Sequence, residues 1–166
     1  MTDTTEHPGF VVVGVDDTEG SRLALDFAIR EALARGATVE VVTAWHWNSP
    51  YEGIALASTA ESAHAEASAM QERVVQEALD RFEQKPTLSQ VVVHEYAGPG
   101  LVARSDGALM LVVGTERKGM ISRAILGSVS EHCVRHASCP VVVIPDPTRL
   151  EHHSHGSLRS TAGAGA

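Results

Sequence analysis

The chain has 166 residues, of which 43% are hydrophobic, and a formal net charge of −8. This length suits one domain with a sizeable core, and no apolar run approaches the roughly 20 residues that cross a bilayer. The acidic balance argues against a nucleic-acid surface, which needs clustered basic residues. Because the N-terminus is polar and acidic rather than a secretory signal, we expect a cytoplasmic protein with neither a membrane nor a nucleic acid as partner.

The chain contains two cysteines, Cys133 and Cys139. Without a secretory signal we expect both to be free thiols, because disulfides are rare in a reducing cytoplasm. Packing is the predicted role of both side chains, with redox chemistry as the alternative.

The composition divides the chain into a central domain, 9–146, and two tails. Residues 1–8 are polar, which predicts a flexible N-terminal tail. Residues 147–166 are of low complexity and lack apolar periodicity, which predicts disorder. The histidines within 152–155 have the chemistry of metal ligands, and a solvated tail is the alternative.

Strand-like and helix-like segments alternate between the tails. Apolar runs such as GFVVVGV are typical of strands buried on both faces. The predicted order is strand 9–15, a helix in 19–37 that ends at Gly36, strand 38–45, helix 58–84, strand 89–96, a short helix in 99–107, strand 108–114, a helix from 128 to about 137, and strand 140–145. Strands separated by helices predict an α/β fold, a single doubly wound parallel sheet with helices on both faces.

Two polar loops that contain glycine follow the first and fourth strands, VDDTEGS at 15–21 and GTERKGMISRAILGS at 114–128. Parallel sheets bind ligands outside the carboxyl ends of their strands, where the strand order reverses. If the first and fourth strands are neighbours, the two loops face each other across that crevice.

The loop at 114–128 has the features of an anion site. Ser128 and Glu131 have capping-box spacing, which predicts Ser128 as the N-cap of the last helix. The N–H groups at a helix N-terminus are unpaired and carry a partial positive charge that stabilises an anion. Gly114 permits a sharp turn, and Gly127 permits the close approach of a phosphate. The alternative is a glycine-rich connection that only caps a helix.

The loop after the first strand offers short polar side chains in Asp16, Asp17 and Thr18. A carboxylate here is suited to accept hydrogen bonds from ribose hydroxyls or to coordinate Mg²⁺. The alternative is a cap for the following helix, for which Asp17 or Thr18 is suited. Ala44 ends the second strand and is placed to present its backbone to a base edge, with core packing as the alternative.

Several familiar motifs are missing from the sequence. There is no G-x-x-x-x-G-K-[ST] of P-loop proteins and no G-x-G-x-x-G after the first strand. His132 and His136 are four residues apart but lack the H-E-x-x-H pattern, so surface or packing roles are favoured. No pair of nucleophile and base is evident, and we expect neither a catalytic residue nor a protein metal centre.

Both ends of the domain resemble the universal stress protein family. VVVGVDDTEGSRLALDFAIREALARGATVEVV at 11–42 is similar to that family's opening, and LMLVVGTERKGMISRAILGSVSEHCVRHASCPVVVIP at 109–145 is similar to its signature. The resemblance covers about residues 9–146. It implies a five-stranded parallel sheet in the order 3-2-1-4-5, in which the first and fourth strands are neighbours.

Members of the family that bind ATP carry G-x2-G-x9-G-[ST]. Gly114, Gly127 and Ser128 match the ends of this motif. The resemblance implies ATP as the cofactor, with or without Mg²⁺. The implied binding residues are Val15, Asp16 and Ala44 around the adenosine, and Gly114, Gly119, Gly127, Ser128, Val129 and Ser130 around the phosphates.

Arg117 occupies the place of the middle glycine in this motif. If that position requires a positive φ, arginine costs on the order of 1 kcal/mol, and its side chain fills space needed by phosphate. Alternatively, the guanidinium binds the phosphate, and Lys118 and Arg123 add to a locally basic loop. Arg117 is therefore also a candidate binding residue.

The resemblance further implies a homodimer in which the last strand pairs across the interface through Val141, Val142, Val143 and Ile144. Three functions are compatible with the sequence. The first is a stress-response regulatory module that binds ATP between the first and fourth strands. The second is a dimeric interaction module of the same fold without nucleotide, and the third is an enzyme acting in the same crevice. Since no arginine finger is evident, we expect at most slow ATP hydrolysis.

Overall fold

The computed structural model describes residues 9–46, 57–115 and 126–145, and the two predicted tails lie outside these ranges. The described elements are β1 (Phe10–Gly14), α1 (Glu19–Arg35), β2 (Thr38–Trp45), α2 (Ala57–Leu79), β3 (Leu88–His94), α3 (Ala97–Arg104), β4 (Met110–Gly114), α4 (Ser128–His136) and β5 (Val141–Ile144). The alternation of strands and helices is the predicted one. Within the described ranges, no helix is both long and apolar enough to cross a bilayer.

The five strands form one parallel sheet in the order β3-β2-β1-β4-β5, as the family resemblance implied. β1 is the central strand and pairs with β2 on one side and β4 on the other. Its residues Val11, Val12 and Val13 are fully buried, because helices cover both faces of the sheet. The strand order reverses between β1 and β4, so their carboxyl ends flank a crevice.

Alternate residues of β1 belong to two separate cores, since successive side chains of a strand point to opposite faces. Val11 and Val13 pack in one cluster with Leu25 of α1 and residues of α2. Val12 packs in the other with Leu101 of α3 and Cys133 of α4. Helices α1 and α2 therefore cover one face and α3 and α4 cover the other, which confirms the doubly wound architecture.

Both ends of α1 carry the predicted capping residues. Of the two candidates for its N-cap, the structure selects Thr18, whose side chain accepts a hydrogen bond from the Ser21 N–H at 3.2 Å. Gly36 ends the helix in the left-handed conformation, with φ of 64°, and its N–H bonds to the Ala32 carbonyl. A residue with a side chain is strained in that conformation, which explains why glycine marks the end.

The end of α2 corrects the predicted helix 58–84, because regular helix stops at Leu79. The N–H groups of Arg81 and Phe82 bond three residues back, to Ala78 and Leu79, which tightens the chain out of the α-helix. Phe82 still packs against the core after this turn. The apolar spacing therefore continues beyond the helix although the helical hydrogen bonds do not.

The two thiols are free, as expected, but their surroundings differ. Cys133 is fully buried, and burial, with a smaller effect of Cys139, raises the pKa of its thiol to about 11.

The thiolate is the reactive form, so we expect Cys133 to resist alkylation at pH 8 while the half-buried Cys139 reacts. Mass spectrometry after brief treatment with iodoacetamide should show one label per native chain and two after denaturation. Equal labelling rates in the native protein would contradict this.

Candidate functional site

A cavity of about 100 Å³ opens at the carboxyl ends of β1, β2 and β4, where the strand order reverses. Its wall is formed by Gly14, Val15, Asp16, Thr18, Ser21, Val42, Ala44, Ala97, Leu101, Val113, Gly114, Gly127, Ser128, Val129 and Ser130. Every predicted site residue that the structure describes lies in this wall. The other two, Arg117 and Gly119, lie outside the described residues.

The β1–α1 loop forms one side of the cavity and is tied into a compact turn. Asp16 Oδ1 accepts hydrogen bonds from the Thr18 hydroxyl at 2.7 Å and from its N–H at 3.2 Å. Ser21 Oγ accepts from the Asp16 N–H at 3.3 Å and donates to the Thr18 carbonyl at 2.9 Å. Asp17, between the two wall residues, has a φ of 66°. These bonds fix the orientation of the Asp16 carboxylate at the cavity.

The N-terminus of α4 forms the opposite side, and here the structure corrects the predicted cap. Gly127, not Ser128, is the N-cap, because its carbonyl accepts the first helical bond, from the Glu131 N–H at 2.9 Å. Glu131 pairs with Arg135 at 2.8 Å instead of closing a capping box. Gly127 has no side chain with which to cap this end of the helix. The N–H groups of its first turn, beginning at Ser128, carry a partial positive charge beside the cavity, and Glu131 is the acidic side chain of that turn.

The two glycines of the loop after β4 that the structure describes have different structural roles. A Cβ on Gly114 would overlap the backbone carbonyl of Gly20 in α1 and lie 2.6 Å from the Ser21 nitrogen. Gly114 thus allows α1 to pack directly against the end of β4, and it is not among the residues with positive φ. Among the described residues, a Cβ on Gly127 would meet only Ser130 Oγ, at an ordinary 3.7 Å. No described residue therefore fills the space beside Gly127.

The third side of the cavity is apolar, with Val15, Val42 and Ala44 from β1 and β2 and Leu101 from α3. The Val15 N–H bonds to the Val42 carbonyl at 3.0 Å, which extends the pairing of the two strands to the cavity edge. Leu101 is not predictable from the sequence as a wall residue, because nothing local in the short α3 segment shows that this helix reaches the crevice.

A buried polar chain supports this apolar wall from behind. Thr43 Oγ1 donates to the Val15 carbonyl at 2.9 Å and accepts a hydrogen bond from Gln71 Nε2 of α2 at 3.0 Å. Thr43 and Gln71 are only 3% and 2% exposed, so these bonds form in a nearly dry environment. Their signal in the sequence is a polar residue at an apolar position, in VVTAW and in MQERVV.

The histidines of α4 have a packing contact. The rings of His132 and His136 lie 4.4 Å apart, and the His132 ring fills the space beside Gly98 of α3. In the part of the chain that the structure describes, no three His, Cys, Asp or Glu side chains gather where they would hold a metal ion. The packing role predicted for His132 fits this geometry.

The chain is similar to proteins of one family in sequence and in fold. The model of the universal stress protein family matches residues 10–145. Universal stress protein Rv2623 of Mycobacterium tuberculosis is 32% identical over 151 residues, which cover 86% of this chain and 50% of that protein. The chain spans about half the length of the curated relatives it matches.

Solved structures show the same architecture. A universal stress protein crystallised in complex with cAMP is 27% identical, with a TM-score of 0.61 over 82% of this chain and 96% of the other. The universal stress protein UspA of Lactobacillus plantarum has a TM-score of 0.63 at 23% identity, over 82% and 97% of the two chains. Since the family model matches nearly the whole predicted domain, the chain belongs to the universal stress protein family.

Proposed function

We propose that this protein is a stress-response regulatory module that binds an adenine nucleotide, ATP, in the cavity between β1 and β4. One observation carries the proposal: an uncapped helix N-terminus and the Asp16 carboxylate face one cavity from opposite sides, with an apolar wall beside them. A nucleotide has matching parts, an anionic phosphate chain, a ribose with hydroxyl donors and a planar base. The similar protein that was crystallised with cAMP supports this choice of ligand.

The phosphates are assigned to the N-terminus of α4. The N–H groups of Ser128, Val129 and Ser130 are donors there, and the open space at Gly127 admits the anion. Ser130 Oγ already donates its proton to the Gly127 carbonyl at 2.9 Å, so Ser128 supplies the hydroxyl donor. Arg117 and Gly119 remain predicted phosphate contacts. Gly114 contributes by letting α1 pack at the cavity edge.

The adenosine is assigned to the other two sides of the cavity, the β1–α1 loop and the apolar wall. Asp16 accepts hydrogen bonds from the ribose hydroxyls, because its carboxylate lies in the cavity wall, oriented by Thr18. Val15 and Ala44 pack against the base. Asp16 is the only carboxylate in the described wall, so Mg²⁺ is expected to bind mainly through the phosphate oxygens and water.

The dimer remains part of the proposal. β5 is an edge strand of the sheet, and all four residues Val141–Ile144 are only half-buried. An apolar edge strand is an aggregation hazard unless it is paired, so pairing with a second copy gives this strand a physical role. If the cavity does not bind nucleotide, this surface supports the alternative function, an interaction module of the same fold.

Thermal unfolding of nucleotide-stripped protein tests the proposal. A ligand at about 100 times its Kd stabilises the fold by roughly 2.7 kcal/mol, which raises the Tm of a domain of this size by several degrees. We expect this shift with millimolar ATP and Mg²⁺ and not with NAD. Absence of a shift at any ATP concentration would favour the interaction module.

Gly127→Ala is the variant that separates the ligand from the fold. The added methyl group makes only an ordinary contact with the described residues but occupies the space assigned to phosphate. We expect ATP affinity to fall about tenfold, equivalent to about 1.4 kcal/mol, with little change in the affinity for adenosine. Calorimetric titration with both ligands measures this difference. An equal loss for ATP and adenosine would place the phosphates elsewhere.

A further inference from the structure

We infer that Arg73 of α2 is a positioning residue for the nucleotide cavity: with Arg22, it holds Asp17 so that Asp16 and Thr18 keep the geometry that a ligand meets. The inference rests on the proposed function for its ligand. It assigns a role in binding to a helix of which no described side chain lines the cavity.

The observation behind it is a ring of four charged side chains. Arg73 donates to Asp17 Oδ2 at 2.6 Å and lies 3.3 Å from Glu77 Oε1. Arg22 of α1 pairs with the same two carboxylates. The ring therefore joins the β1–α1 loop, α1 and α2 through alternating charges. Hydrogen bonds from Arg73, and then from Arg22, hold the pKa of Asp17 below its usual value.

The ring holds Asp17 in an unfavourable backbone conformation. Asp17 is the one non-glycine residue with positive φ, 66°, among the residues that the structure describes. This conformation is unfavourable for a residue with a Cβ, although aspartate tolerates it better than most. Its neighbours Asp16 and Thr18 both line the cavity and are bonded to each other. If Asp17 returned to an ordinary conformation, the two wall residues would turn apart.

A nearby ion pair joins α1 to the chain segment after α2 without any contact with the cavity. Arg81, in the turn that follows α2, lies 2.5 Å from Asp26 of α1, and Asp26 is one helical turn beyond Arg22. Neither residue contacts the β1–α1 loop or lines the cavity. Arg81→Gln is therefore a matched control for Arg73→Gln, because each substitution removes one arginine that pairs with an aspartate.

Adenosine is the appropriate probe, since it lacks phosphate and reports on the Asp16 side of the cavity alone. We expect Arg73→Gln to bind adenosine roughly fivefold to tenfold more weakly than wild type, and Arg81→Gln to match wild type. Glycine adopts positive φ without strain, so adding Asp17→Gly to Arg73→Gln should restore most of the affinity. Equal affinity in the two arginine variants, or no rescue by glycine, would overturn the inference.

A second measurement does not depend on ligand binding. In nucleotide-free protein, the N–H to Hα scalar coupling of residue 17 and the amide shift of Thr18 report on the loop by NMR. We expect both to change in Arg73→Gln and to keep their wild-type values in Arg81→Gln. If wild type binds no adenine compound, the proposed function fails while this result still decides the positioning role. Unchanged signals in Arg73→Gln would overturn that role whatever the protein binds.

Discussion

Gly114→Ala is expected to lower the free energy of unfolding by about 3 kcal/mol, the upper part of the usual range for overpacking. The added methyl group overlaps the carbonyl of Gly20 and comes within 2.6 Å of the Ser21 nitrogen. These are backbone atoms of α1, which cannot rotate away as a side chain can. The helix must shift from the end of β4, and its contacts with the central strands loosen. Urea unfolding, followed by circular dichroism, measures the change.

Two further substitutions to alanine test whether the close approach of α1 causes this destabilisation. Gly20→Ala approaches the same contact from the helix, since its Cβ would lie 2.5 Å from the Thr115 carbonyl oxygen. It should be destabilising even though alanine is the better helix former. Gly127→Ala, at the other end of the same loop, should change stability by less than about 0.5 kcal/mol. Similar losses at Gly114 and Gly127 would mean that loop flexibility, rather than the close approach of α1, explains the effect.

The elements of this fold could be predicted because their signals are local. Valine runs marked the buried strands, and Gly36 marked the end of α1 with a conformation that suits glycine. The strand order could not be derived from such signals and came from the family resemblance. The role of Gly114 was also beyond local reasoning, since it depends on the approach of Gly20 from a distant part of the chain.

The position of the candidate site could be predicted, because the topology of the sheet determines which loops meet. Parallel strands bring their carboxyl ends to one edge, so the loops at Asp16 and Gly127 had to converge once β1 and β4 were neighbours. The cap at Ser128 was wrong by one residue, because the spacing rule does not show which carbonyl accepts the first helical bond. Arg73 and Gln71 support the cavity from α2. Nothing in the sequence around either residue connects it to a binding loop.

Gln71→Glu is expected to destabilise the protein by about 4 kcal/mol at pH 7, because it places a carboxylate where only acceptors face it. The two N–H donors of Gln71 Nε2 are shared among three acceptors, the Val41 carbonyl at 3.1 Å, the Val91 carbonyl at 3.0 Å and Thr43 Oγ1 at 3.0 Å. The Thr43 hydroxyl proton is already used in the bond to Val15. A glutamate at this position loses both donors and brings oxygen against oxygen.

The pH dependence of this loss identifies its origin. Burial among acceptors raises the pKa of the new carboxyl above its unfolded value of about 4.3, so the folded state holds the proton more tightly. The part of the destabilisation that comes from the charge is therefore absent below the unfolded pKa and grows as the pH rises toward the folded pKa. Gln71→Leu, which loses the donors without adding charge, should cost about 1–2 kcal/mol at every pH, measured against wild type under the same conditions. If the two variants show equal losses without pH dependence, the Gln71 amide does not donate to these acceptors, and the Val15 wall of the cavity is held by Thr43 alone.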